Sequence, residues 1–198
     1  RLDSSVPGLS RVLVDKLAGI TDRDIVRGVN ATRWPWRLEW LSVPPQLLPP
    51  TGAQQDVRLL LDGAHNPDAA RLLRRYVDIQ LAASSSPPNR RVFWILGMGS
   101  EKDLTGVLAE LMHPGDVLCA VPFTQPIAMP WVQCRSPADI AAIAAAAPVD
   151  SRSLSAILQM PNIKSALEHY VTDFSRTNGW LLVVCGSLYL AADLYRLF

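Results

Sequence analysis

Val57-Arg58-Leu59-Leu60-Leu61 constrains this chain more than any other stretch. Its apolar residues follow one another instead of alternating with polar ones, which is the pattern of a buried strand covered on both faces. The run ends on Asp62, and Gly63 then lets the backbone turn sharply. His65 follows in the loop, Asn66 suits an N-cap and Pro67 suits a first helical position. Asp68 adds a carboxylate to the first turn, and Leu72, Leu73, Tyr76 and Val77 recur at helical spacing over roughly 67–81. An acid and an imidazole therefore lie between the carboxyl end of a strand and the amino end of a helix. Open α/β sheets bind ligands at that edge, and helix N-termini favour anions. On spacing alone an ordinary strand–turn–helix joint fits slightly better, with Asp62 capping a turn and His65 at the surface.

Three further runs predict strands: 91–96, 116–121 and 180–185. Helices are expected between them. One passes through Leu104, Val107, Leu108 and Leu111; one runs from Pro137, capped by Ser136, to about Ala147; one spans Pro161–Arg176. A last helix opens at Ser187 and runs to the C-terminus. Residues 37–41 read as a short strand, Trp131–Cys134 as an edge strand, and 43–56, 84–89 and 122–130 as loops. Leu9, Val12, Leu13, Leu17 and Ile20 give an N-terminal helix, and Thr21-Asp22-Arg23-Asp24 starts a second. Strands alternating with helices imply right-handed crossovers. The fold class is α/β, a Rossmann-like three-layer sandwich with a mostly parallel sheet and helices on both faces.

With 198 residues, 49% hydrophobic and 19% charged, the chain can bury a sizeable core. A net charge of +1 argues against a nucleic-acid partner, and no apolar run is long enough to span a membrane. Cys119, Cys134 and Cys185 lack Cys-x-x-Cys spacing and read as reduced, buried thiols of an intracellular protein. His113 and His169 have no partner at metal-ligand spacing, so no metal site is assigned. Gly97-Met98-Gly99-Ser100-Glu101-Lys102-Asp103 does not complete a dinucleotide loop. Lys102 there suits a nucleotide or an acidic substrate, or equally a solvated first turn.

Four stretches in order carry a resemblance: Trp34-Pro35-Trp36-Arg37-Leu38-Glu39, Asp62-Gly63-Ala64-His65-Asn66-Pro67, the Gly97–Asp103 loop, and Gly186-Ser187-Leu188-Tyr189. Together they resemble the C-terminal domain of folylpolyglutamate synthases and dihydrofolate synthases, the folate branch of the Mur ligase superfamily. Two positions depart from that family's pattern: Trp36 stands where it usually has Gly, and Glu101 where it has Asp. If the Gly served a positive φ angle, Trp36 costs strain or blocks the site.

The resemblance implies a ligase that activates a folate or dihydropteroate carboxylate with ATP as an acyl phosphate, which the amine of L-glutamate then attacks. It implies that Arg37, Asp62 and Lys102 contact ATP, and that His65 and Ser187 place the glutamate, with His65 also the catalytic group. For Arg37 the alternative is an exposed strand arginine paired with Glu39; for Ser187 it is an N-cap. Magnesium is expected on ligands of a preceding domain. Residues 1–31 would be a helical remnant of that ATP-binding domain and 32–198 the glutamate-ligase domain. The chain begins with Arg1 and has no Gly-x-x-x-x-Gly-Lys-Ser/Thr loop, so it reads as a fragment, inactive alone. The partners expected are ATP, L-glutamate, the folate substrate and the missing N-terminal domain, in a monomer of the cytoplasm or mitochondrion. The alternatives are a free-standing Rossmann-like module that binds a nucleotide or a glutamate-like ligand without catalysis, and a Mur-type ligase of cell-wall synthesis.

Overall fold

The computed structural model describes residues 19–32, 34–48, 57–83, 91–146, 154–174 and 179–198. The chain divides into two units, Arg1–Pro35 and Trp36–Phe198. In the first, helix α1 (Asp22–Ala31) starts where the sequence predicts, because Thr21 and Asp24 form a reciprocal capping box. The helix expected around Leu9–Leu17 lies outside the described residues, as does the 84–89 loop.

The second unit is a six-stranded sheet. Its strands are β1 (Glu39–Ser42), β2 (Arg58–Leu61), β3 (Arg91–Leu96), β4 (Val117–Ala120), β5 (Ala156–Gln159) and β6 (Trp180–Cys185), in the spatial order β1-β2-β6-β3-β4-β5. Only β1 runs antiparallel, on β2; the other pairings are parallel. The helices are α2 (Pro67–Ala83), α3 (Leu104–Leu111), α4 (Pro137–Ala146), α5 (Ile163–His169) and α6 (Leu188–Tyr195).

Side chains of a strand point alternately to opposite faces, and every central strand here is apolar on both. Leu60, Trp94 and Val183 pack on one side with Leu73 and Val77 of α2, Val107 and Leu111 of α3, and Ile140 of α4. Leu59, Phe93 and Leu182 pack on the other with Ile163 and Leu167 of α5 and Leu190 and Leu194 of α6. The chain first steps from β2 past a gap to β3, β4 and β5 with helices on one face. It then returns over the opposite face, and β6 fills the gap. The reversal places the carboxyl ends of β2, β6 and β3 side by side, the arrangement that opens a crevice in such sheets.

Several boundaries differ from the sequence reading. Strand β5 went unpredicted: it is only four residues long at the sheet edge, too short for a periodic signal. The helix expected over Pro161–Arg176 is regular only to His169, and Tyr170–Phe174 widens into a π turn around the Phe93, Tyr170 and Phe174 rings. Trp131–Cys134 forms a single antiparallel bridge, Gly99 to Cys134, in place of a strand. Pro45–Leu47 is a 3-10 turn within the expected loop. The last helix stops at Tyr195, short of the C-terminus. Cys119 and Cys185 are buried but Cys134 only partly so.

Candidate functional site

Three loops at the carboxyl edge enclose a cleft of about 290 Å³. His65 enters it from the loop after β2, Gly99, Glu101 and Lys102 from the loop after β3, and Ser187 and Tyr189 from the turn after β6. Phe123 and Val132, from the long segment after β4, add an apolar wall. The first turns of α2, α3 and α6 all start at this edge, so their unpaired N–H groups make it favourable for negative charge.

Each loop is shaped by specific contacts. The Asn66 side chain caps α2 by accepting from Ala69 N–H at 2.9 Å. His65 Nδ1 lies 2.8 Å from the Gly63 carbonyl. A carbonyl only accepts, so Nδ1 carries the proton and the neutral ring keeps its lone pair on Nε2. Gly186 adopts φ +106°, and a Cβ there would stand 2.5 Å from the Gly97 carbonyl oxygen, so only glycine fits where β6 and β3 converge. Ser187, buried, caps α6 by accepting from Tyr189 N–H at 3.1 Å; its own hydroxyl hydrogen stays available to a ligand. The two readings of Ser187 are therefore compatible.

Lys102 lies in the cleft wall with its Nζ 3.4 Å from Glu101 Oε1. The loop that carries it is held from outside the sheet: Ser100 N–H donates to the Gln133 carbonyl at 2.8 Å, and the Arg135 guanidinium donates to the Ser100 and Lys102 carbonyls. That loop is therefore fixed through its backbone, while the Lys102 side chain is 40% exposed.

Arg37 and Asp62 stand beside this cleft, outside its lining. Asp62 is 7% exposed and accepts from Leu38 N–H at 2.9 Å. Burial holds its carboxyl above the usual range, partly opposed by the Leu38 and Ala64 amides and by Arg37 and His65 nearby. The expected pairing of Arg37 with Glu39 is not formed: the Glu39 carboxylate accepts from Trp36 N–H at 2.9 Å and from the Tyr195 hydroxyl. Arg37 makes no hydrogen bond or ion pair among the described residues, and its exposed guanidinium lies over Gly63, with Nη1 3.1 Å from where a Cβ there would be. Trp36 does occupy a left-handed conformation, φ +66°, and so does Leu38, φ +47°. The residue in place of glycine thus carries backbone strain, of about 1–2 kcal/mol, and its ring packs edge-on against Tyr195.

Of the residues singled out from sequence, the fold brings His65, Lys102 and Ser187 into one cleft and keeps Arg37 and Asp62 together next to it. Sequence reasoning missed Phe123 and Val132, which lie in an irregular segment without periodicity. Tyr189 stood inside a quoted motif, and its position two residues after the capping serine was the available signal. Among the described residues no three His, Cys, Asp or Glu side chains are grouped to hold a metal ion.

A family model described as dihydrofolate synthetase, C-terminal domain, matches residues 49–197. A probable dihydrofolate synthetase of Schizosaccharomyces pombe is 32% identical over 178 residues, which are 87% of this chain and 36% of that protein. A probable folylpolyglutamate synthase of Saccharomyces cerevisiae is 25% identical over 187 residues, 92% of this chain and 39% of that protein. Among solved structures, the bifunctional folylpolyglutamate synthase/dihydrofolate synthase of Yersinia pestis, complexed with AMPPNP and Mn ion, superposes with a TM-score of 0.61 at 26% identity, covering 89% of this chain and 34% of that one. The chain spans little more than a third of the length of the curated relatives it matches.

Proposed function

Because the chain belongs to the family of dihydrofolate synthetase C-terminal domains, we propose that it is the glutamate-accepting part of an ATP-dependent amide ligase. The observation that carries this reading is the cleft shared by His65, Lys102 and Ser187, three side chains delivered by three different strands. In this reading the cleft receives L-glutamate. Lys102 Nζ pairs with a glutamate carboxylate, and the Ser187 hydroxyl donates to the same ligand. His65 Nε2, free to accept, takes a proton from the amine as it attacks. The new C–N bond forms at the carboxyl carbon of the acyl phosphate, the C–O bond to phosphate breaks, and phosphate leaves with the bonding pair. Since Lys102 lines the same cleft as His65 and Ser187, it serves the acidic substrate in preference to the nucleotide. Arg37, exposed and unpaired among the described residues, is directed to ATP phosphate, for which a guanidinium fork is well suited.

The acyl donor is dihydropteroate in this proposal, on the strength of the family model and the S. pombe relative. The P-loop and the metal ligands belong to a preceding domain, of which residues 1–31 are the end; the Y. pestis relative's complex with AMPPNP and Mn ion supports a nucleotide and a divalent ion in the whole enzyme. Assay of the complete protein with ATP, L-glutamate and either dihydropteroate or tetrahydrofolate tests it. Amide formation with dihydropteroate is the expected result, and failure with both pterin substrates would remove the proposal.

A further inference from the structure

The residue that stands in place of glycine, Trp36, is held from the far end of α6. Trp36 at φ +66° and Leu38 at φ +47° flank Arg37, and non-glycine residues persist in that conformation only where their surroundings over-determine them. Leu38 N–H donates to Asp62 Oδ2 at 2.9 Å and Gly63 N–H to the Trp36 carbonyl at 2.8 Å, which ties the turn to the end of β2. A second set of contacts ties it to Tyr195, the last residue of α6. Trp36 N–H donates to Glu39 Oε2 at 2.9 Å, the Tyr195 hydroxyl donates to the same oxygen, and the two rings meet edge-on with centroids 6.1 Å apart. Trp36, Glu39 and Tyr195 are each half-buried, and none of them lines the cleft. Burial and the Glu39 carboxylate push the Tyr195 hydroxyl up to about 12, so it stays a donor throughout the neutral range. With its Oε2 taken by these two donors, Glu39 does not pair with Arg37. We propose that Glu39 and Tyr195 are positioning residues for the nucleotide: they anchor Trp36 to α6 and so hold the Arg37 guanidinium unpaired over Gly63, without touching ligand themselves. The inference rests on the proposed role of Arg37 toward ATP phosphate.

The test uses the complete ligase, with calorimetric binding of AMPPNP, steady-state kinetics against ATP and glutamate, and hydrogen exchange at the Trp36 amide. Arg37→Ala is expected to weaken AMPPNP about 10- to 100-fold. Tyr195→Phe, which keeps the ring and removes the donor, weakens it about 3- to 10-fold, the worth of one hydrogen bond, and Glu39→Ala about tenfold or more. The Michaelis constant for ATP rises with these losses while that for glutamate stays near wild type, because Lys102 and Ser187 enter the cleft from other loops. Glu39→Gln keeps an oxygen for both donors and stays within about twofold of wild type. Trp36 amide exchange speeds up in Glu39→Ala and keeps its normal rate in Glu39→Gln. Glycine adopts a left-handed conformation without penalty, so in a Trp36→Gly background the loss from Tyr195→Phe shrinks to less than about twofold. If Glu39→Ala does not fold, Tyr195→Phe with and without Trp36→Gly decides. An undiminished loss in the Trp36→Gly background, normal AMPPNP affinity in Tyr195→Phe, or a loss shared equally by ATP and glutamate kinetics would each overturn the anchor. Normal affinity in Arg37→Ala would instead remove the role of Arg37, and the anchor's role with it.

Discussion

Replacing Asp116 with asparagine should strip the fold of its most heavily used buried carboxylate. Asp116 is 2% exposed and precedes β4, at the end of the sheet opposite the cleft. Its Oδ2 accepts from Arg74 Nη1 at 2.7 Å, Trp94 Nε1 at 3.0 Å and His113 N–H at 3.2 Å, and its Oδ1 accepts from Val92 N–H at 2.9 Å. One side chain thus ties α2 to β3 and to the turn before β4. An asparagine offers one oxygen and one NH2. With the oxygen toward the three donors, the NH2 faces Val92 N–H, donor against donor. Arg74, with a side chain 8% exposed, then keeps only the half-exposed Asp78 as an ionic partner. Breaking a buried pair on one side costs about 3–5 kcal/mol. At about 2–4 °C per kcal/mol for a chain of this size, the melting temperature falls by about 6–20 °C. Urea denaturation followed by circular dichroism should show a lower midpoint at unchanged slope. Adding Arg74→Met removes the orphaned charge as well, so the double variant should be more stable than the sum of the single losses. A change below about 1 kcal/mol in Asp116→Asn would refute this account of the network.

Other outcomes follow from single contacts. Gly186→Ala puts a Cβ 2.5 Å from the Gly97 carbonyl at φ +106°; strain and overpacking together should cost about 2–6 kcal/mol in chemical denaturation, and a neutral substitution would contradict the steric reading. Asp62, with its folded-state pKa raised above the ordinary 3.8, binds its proton more tightly folded than unfolded. Its contribution to stability is therefore full below that value and is lost as pH rises through the folded value. Melting of wild type and Asp62→Asn across this range should shift steadily in favour of the asparagine variant as pH rises; a flat or opposite difference would refute the burial argument. Burial pushes the Cys119 thiol up to about 12 and Cys185 higher still, while Cys134 is raised less and is only partly covered. Iodoacetamide at pH 8 should thus label native Cys134 first and the other two only on unfolding, as read by mass spectrometry.

What the sequence disclosed depended on how local the cause was. Asp62-Gly63-Ala64-His65-Asn66-Pro67 was legible as strand, turn and capped helix because each step follows from one residue's own chemistry. The doubly apolar runs announced a sheet covered on both faces, and Ser136 and Ser187 marked helix starts that the structure keeps. The sequence could not show that β6 inserts between β2 and β3, which is what brings Ser187 beside His65. Nor could it place Phe123 and Val132, held in the cleft wall by long-range contacts such as the Phe123–Tyr189 ring pair. Arg37 was read as a phosphate ligand or a partner of Glu39. Only the folded turn shows Glu39 taken by Trp36 and Tyr195, leaving Arg37 over Gly63. The left-handed Trp36 was foreshadowed solely by the departure from glycine at that place.

The central claim is that the cleft of His65, Lys102 and Ser187 handles glutamate while Arg37 handles ATP. His65→Ala in the complete ligase separates these directly, because His65 lines the cleft and, among the described residues, its side chain makes one hydrogen bond, from Nδ1 to the Gly63 carbonyl. The measurement is the rate of amide formation against glutamate concentration, with AMPPNP affinity and melting temperature taken on the same sample. The account predicts a fall of about 10²- to 10⁴-fold in amide formation, the usual contribution of a positioned acid–base group, with nucleotide affinity and melting temperature near wild type. Normal glutamate kinetics in a stable His65→Ala enzyme would contradict it.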